Sequence, residues 1–219
     1  MKPDYERAAV KAAEILIKYN IGTAPVDPFP ILKKMPGVLV MSFQEMSDRT
    51  KIDRKDILNM YGCSNQDAVT TVFLDGDDVR YIVSYNRMLS VNLFQRALAR
   101  ELGHIVLGHD GSRPDEVRNA EAVCFANHLL APRPLLHAIQ AAGFRLTVEV
   151  LGNITGCYDH CLTCMRSLPA VNVPAELNRK VRDQFMPYIT NFFEFQRHAM
   201  LKDGSALADF GTYMDGYTE

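Results

Sequence analysis

Within "ALARELGHIVLGHD", residues 97–110, Glu101 and His104 stand three positions apart in a stretch without proline. At about 100° per helical residue, Ala97, Glu101, His104 and Gly108 share one stripe with Arg100 beside it. Leu98, Leu102 and Ile105 turn the other way, toward a core. An imidazole held like this suits zinc, and a carboxylate one turn earlier can take a proton from metal-bound water, so the chemistry is that of a metal-dependent hydrolase. The small residues Ala97 and Gly103 would let a neighbouring backbone come close. On these residues alone a plainer reading is stronger: a solvated glutamate and a histidine capping a helix end.

Positioning such a stripe requires a core, and the chain can build one. It has 219 residues, 47% of them hydrophobic, enough for one sizeable buried interior with a small appended lobe. Twenty-four basic and 26 acidic residues leave a formal charge of -2, which argues against a general nucleic-acid or anionic-membrane binder. No run reaches the ~20 apolar residues of a spanning helix, and the start "MKPDYERAAVKAAEILIKYN" mixes charge into its apolar positions. Five cysteines fit reduced thiols better than a disulfide framework, so the expectation is a soluble, cytoplasmic protein.

Apolar spacing predicts an amphipathic helix over residues 4–19, closed by "NIG", then a proline-punctuated loop, a short helix around 31–34 and a strand over 38–43. Residues 44–68 are polar and ambiguous. "AVTTVFLDGDDVRYIVSYN" predicts a hairpin on a tight Asp-Gly turn. Helices follow over 92–107, with Gly108 just past the end, and over 114–130, stopped by "APRP". Further helical pieces are expected near 133–142, 147–152 and 158–168, and a long helix over 174–202, bent or broken near Pro187.

Three separated blocks, in order, resemble one known family. "APVDPFPILKKMPGVLV", "FQRALARELGHIVLGHD" and "NAEAVCFANHLLAP" are similar to the entry segment, active helix and second helix of the ImmA/IrrE metallopeptidases, over about residues 5–136. The resemblance implies a zincin-like, helix-rich peptidase domain with a small mixed or antiparallel sheet on the active helix. Members act in bacterial cytoplasm, often on phages and mobile elements, and relieve repression by cleaving a DNA-binding repressor. Carried over by position, Glu101 is the general acid/base, His104 the second metal ligand and Glu121 the third. Arg100 stands where the family places its first histidine ligand.

A guanidinium stays protonated and offers only donors, so Arg100 cannot ligate zinc and brings a positive charge toward the dication. His109, five residues after His104, needs the chain to turn back before it can ligate, and is a weak candidate. His128 lies about 10 Å along the helix from Glu121 and suits a polar neighbour or a rim. The expectation is that Arg100 takes the place of the metal and holds the second helix by a bidentate contact to Glu121. Zinc is then the cofactor if the chain is active, and none is needed if it is not. Arg100→His should gain zinc affinity.

Cys157, Cys161 and Cys164, in "CYDHCLTC", match the spacing of iron–sulfur ligands, with His160 nearby. On a helix they form one stripe, and core packing is the stronger reading. The helix-turn-helix likeness of residues 146–168 is faint, with Arg166 the lone basic residue of its second helix. Phe185, Tyr188, Phe192, Phe193 and Phe195 read as core before partner surface.

The expected fold is α+β and mainly helical: a zincin-like domain over 1–136, a helical extension over 137–202 and a flexible tail over 203–219. The expected function is a metallopeptidase-like regulator of phage or mobile-element repressor control, with impaired zinc binding, acting by association with a protein partner such as a helix-turn-helix repressor. The alternative is an active zinc endopeptidase that cleaves the repressor with Glu101 as base. A structural or DNA-associated component of a mobile element is a weaker third. No membrane contact and no direct nucleic-acid contact are expected.

Overall fold

A computed structural model of the chain describes residues 1–60, 67–76, 78–156 and 171–203. The elements run α1 (Tyr5–Lys18), α2 (Pro28–Lys34), β1 (Val38–Ser42), α3 (Phe43–Thr50), α4 (Arg54–Met60), β2 (Ala68–Asp75), β3 (Asp78–Tyr85), α5 (Val91–Val106), α6 (Asp115–Leu130), α7 (Arg133–Ala141), α8 (Val148–Thr155) and α9 (Ala175–Asp203). The chain is mainly helical with a small mixed sheet, an α+β arrangement. It divides into two compact units: Met1–Ala8 with Asp27–Ala126, and Ala9–Val26 with the described chain from Asn127 onward. The boundary expected after residue 136 falls inside the second unit, within α7.

In the first unit β2 and β3 form the expected hairpin, pairing Ala68 with Tyr85 through Asp75 with Asp78. Gly76, at φ +64, supplies the left-handed backbone that so tight a turn requires. β1 joins parallel to β3, giving the order β1-β3-β2 and leaving β2 at an edge. α5 packs on β2 and β3, and Phe94 at its start meets Phe29 and Tyr85 at ring-centroid distances of 5.8 and 5.0 Å. Such aromatic contacts add about 1 kcal/mol each beyond area burial and fix the helix against the sheet. Gly103 lets α6 approach: a Cβ there would stand 3.0 Å from Phe125 Cδ1 and 3.2 Å from the Ala122 backbone.

The ambiguous region holds α3 and α4. The start of α3 is a capping box in which Ser42 and Glu45 each bond the other's backbone N–H, a signal present in the sequence as S-x-x-E.

In the second unit Leu16, Leu135, Ile139, Ile154, Phe185 and Phe192 are fully buried. α7 packs on α9, which runs unbroken through Pro187. Phe185, Tyr188, Phe192 and Phe195 are buried and Phe193 stacks on Phe144, as the core reading required. The helix expected over 158–168, with its three cysteines, and the expected tail from 204 lie outside the described residues. Among the described residues, no helix is long and apolar enough to cross a membrane.

Candidate functional site

Glu101 sits in the middle of α5 with 3% exposure, so the solvated glutamate of the plainer sequence reading is replaced by a buried one. Thr70, on β2, donates its hydroxyl to Oε2 at 2.8 Å. Arg100 donates Nε and Nη2 to Oε1 at 3.2 and 3.0 Å, and Nη2 also meets the Ala68 carbonyl at 3.3 Å. Burial raises the Glu101 carboxyl above its ordinary range, and the Arg100 charge and the Thr70 bond only partly offset it.

Glu121, on α6, is 1% exposed and far better supplied. Arg113 Nη1 donates to Oε1 and Oε2 at 2.7 and 2.8 Å. The Asp4 backbone N–H donates to Oε1 at 2.7 Å, and His109 Nε2 lies 3.0 Å from Oε2. Desolvation is the largest single influence on this carboxyl and acts upward, but Asp4, His109 and Arg113 together outweigh it and hold it below its ordinary value.

The expected Arg100–Glu121 contact is therefore corrected: Arg100 pairs with its own neighbour Glu101, and Arg113 holds Glu121. The reason is geometric. Arg100 leans along α5 to the start of β2, whereas Arg113 sits in the connection between α5 and α6 and reaches Glu121 directly.

His109 is brought back as its ligand role would need. Gly108 takes φ +63 just past α5, His109 N–H bonds His104 O, and Gly108 N–H bonds Ile105 O. This Schellman turn, licensed by glycine at that position, folds the His109 ring over His104, with the two Nδ1 atoms 2.9 Å apart. Arg7 of α1 closes the helix end by donating to the Leu107 carbonyl at 2.8 Å.

Burial, followed by the His109 and Arg100 charges, pushes His104 down to about 4, and burial also lowers His109. Both rings are neutral near pH 7, and the hydrogen bonds fix their tautomers. His109 gives its Nε2–H to the Glu121 carboxylate, its Nδ1 then accepts from His104 Nδ1–H, and the lone pair of the relay falls on His104 Nε2. The relay opens on a cleft of about 460 Å³ lined by Thr70, Tyr81, Arg100, Glu101, His104 and His109.

A catalytic zinc takes three protein lone pairs converging on one point. Arg100 supplies none, both Glu121 oxygens are engaged by Arg113, and the His109 ring lies between His104 and Glu121. Among the described residues, no group of three or more His, Cys, Asp or Glu side chains is set to hold a metal ion. These donors do not fit a three-ligand zinc site.

Sequence reasoning placed Glu101, His104 and Glu121 in one neighbourhood and held His109 only as a weak candidate, and all four side chains lie together. It missed Asp4, Arg7, Thr70 and Arg113. Two buried carboxylates need two cations, so the arginine in "HDGSRPDE" carried a usable signal; a backbone N–H from Asp4 left none. Comparisons with family models, with curated proteins and with solved structures returned no match.

Proposed function

We propose that this chain is a regulator derived from the ImmA/IrrE type of metallopeptidase, in which an ion-pair cluster replaces the zinc and the cleft holds a protein partner without hydrolysing it. The observation that carries this reading is the double capping: Glu101 is engaged by Arg100 and Glu121 by Arg113. A guanidinium occupies part of a carboxylate's acceptor capacity and lowers its basicity, which works against both metal ligation and proton transfer. The partner is a protein segment, and a helix-turn-helix repressor is the candidate that the family likeness suggests. The edge strand β2 borders the cleft through Ala68, Val69, Thr70 and Val72 and leaves Val72, Phe73 and Leu74 exposed, which suits an extended segment laid beside it.

One observation favours the alternative, an active zinc endopeptidase with Glu101 as base: burial raises the Glu101 carboxyl toward the range of a working acid/base group. The two readings separate when the purified chain is mixed with a helix-turn-helix repressor encoded beside it. Partner binding predicts a stable complex with the repressor intact. Cleavage that disappears in Glu101→Gln would establish the enzymatic reading instead.

A further inference from the structure

β2 is the outer strand of the sheet, and two bonds at its start fix the directions of its backbone groups. The Asp67 carbonyl accepts from Asn86 N–H on the β3 side, and the Ala68 carbonyl, one residue on, accepts from Arg100 Nη2 instead. Antiparallel pairing alternates residue by residue, so Val69, Thr71 and Phe73 bond β3 while Thr70, Val72 and Leu74 aim their N–H and C=O groups outward. Among the described residues no further strand pairs on that side. The stretch "AVTTVFL", residues 68–74, has no charge, no proline and no glycine, and its register with β3 runs without a bulge. Monomeric proteins blunt a strand edge with just those devices. Val72, Phe73 and Leu74 are instead exposed, at 42%, 39% and 74%.

Outward backbone groups of this kind are satisfied by another strand, and the occupant must also suit the side chains and the charge. A second copy of β2 does both when it runs antiparallel about a two-fold axis at Val72. Position 72 then faces itself and position 70 faces 74 of the second copy, so uncharged residues oppose uncharged residues. The same register sets position 75 opposite Val69 of the second copy, one residue from the carbonyl that Arg100 holds. The turn there is acidic in sequence, with Asp75 and Asp78, and the Arg100 side chain is 36% exposed, so opposite charges come together at both ends of the pairing. Moving the axis to residue 71 would put Ala68 into the ladder and set it in competition with Arg100 for its carbonyl.

We propose that two copies of this chain pair β2 with β2, antiparallel about Val72, and join their sheets into one. A single strand pair buries less than the roughly 1,200 Å² at which stable interfaces begin, so the dimer is reversible, with a dissociation constant on the order of 10 µM. The inference rests on β2 alone and stands whether or not the peptidase-like reading does. In the function proposed above the same edge takes a partner segment, so the second copy and that segment exclude each other. A dimer without repressor binding, or repressor binding without a dimer, separates the two claims.

Sedimentation velocity of the full chain from about 1 to about 500 µM is the test, and a monomer–dimer equilibrium with a dissociation constant below about 200 µM is expected. Val72→Lys sets like charges against each other on the axis and should weaken association about tenfold or more, with the far-ultraviolet circular dichroism unchanged. Val72→Glu should do the same. An equimolar mixture of the two variants should dimerise again, because the axis brings the two opposite charges together. Met88→Lys adds the same charge at a residue that is 75% exposed and outside β2, and should leave the dimer intact. If Val72→Lys does not fold, Leu74→Lys gives the same reading at a more exposed position of the edge. A monomer at every concentration, a folded Val72→Lys or Leu74→Lys protein that dimerises like the wild type, an equal loss in Met88→Lys, or no association in the mixture would each overturn the proposal.

Discussion

Glu101 and Glu121 are both almost wholly buried, both belong to helices that share the Gly103 contact, and both carry a guanidinium partner, yet their acidities move in opposite directions. Glu101 receives Thr70 and a neighbour's side chain that is itself 36% exposed. Glu121 receives a guanidinium on both oxygens, a backbone N–H and an imidazole. A buried charge is tolerated in proportion to the donors that replace its water. By that measure Glu121 is a structural anion that ties residue 4, the inter-helix connection and α6 together, and Glu101 is a strained one beside an open cleft.

If that contrast is right, Glu121→Ala does the most damage. It strands Arg113, the His109 N–H and the Asp4 N–H together, and should cost about 3 kcal/mol in urea unfolding, the lower end for a broken buried pair because Arg113 keeps one side toward water. Arg113→Ala should cost about 2 kcal/mol and raise the Glu121 carboxyl pKa, read by carbon NMR of the side chain. Glu101→Gln sharpens the comparison from the other side. The amide removes a poorly solvated charge and still accepts from Thr70, so stability should change by less than about 1 kcal/mol. Equal losses at the two glutamates would break the contrast.

A smaller effect is expected in pH dependence. His104 and His128 are both held near 4 in the folded chain, against an ordinary value of 6.5. Their folded values lie below the unfolded one, so unfolding takes up protons between those limits. Stability is fully present above about 6.5 and is lost as pH falls toward 4. Glu101, raised by burial, works in the opposite sense and blunts the slope. His104→Gln should flatten the decline without removing it, because His128 remains.

The sequence carried the fold wherever an element has a strong period or a punctuating residue. The hairpin is legible from "DGDD", the ends of α5 and α6 from Gly108 and "APRP", and the closeness of α5 and α6 from Gly103. α3 and α4 escaped because mainly polar helices of eight and seven residues are too short for a period to stand out, although the S-x-x-E box at Ser42 was there to be read. At the site, residue types and helical phase named Glu101 and His104, and family likeness added Glu121. The partner of Glu121 was misassigned because helical phase says which side chains share a face and nothing about which loop cation folds over it. His109 reads only as a weak candidate, because nothing in the spacing says that the chain turns back at Gly108 and brings its ring to His104.

Whether guanidinium groups have displaced a metal is tested most directly by the zinc content of the wild-type chain after saturation with zinc and exhaustive dialysis, with Arg100→His and the double variant Arg100→His/Arg113→Ala alongside. Two capped carboxylates predict zinc well under one ion per chain in the wild type and, in place of the gain expected from the sequence, little change in the single variant, because Arg113 still holds Glu121; retention is expected only in the double variant, where Glu121 is released as well. Near-stoichiometric zinc in the wild type would contradict the account.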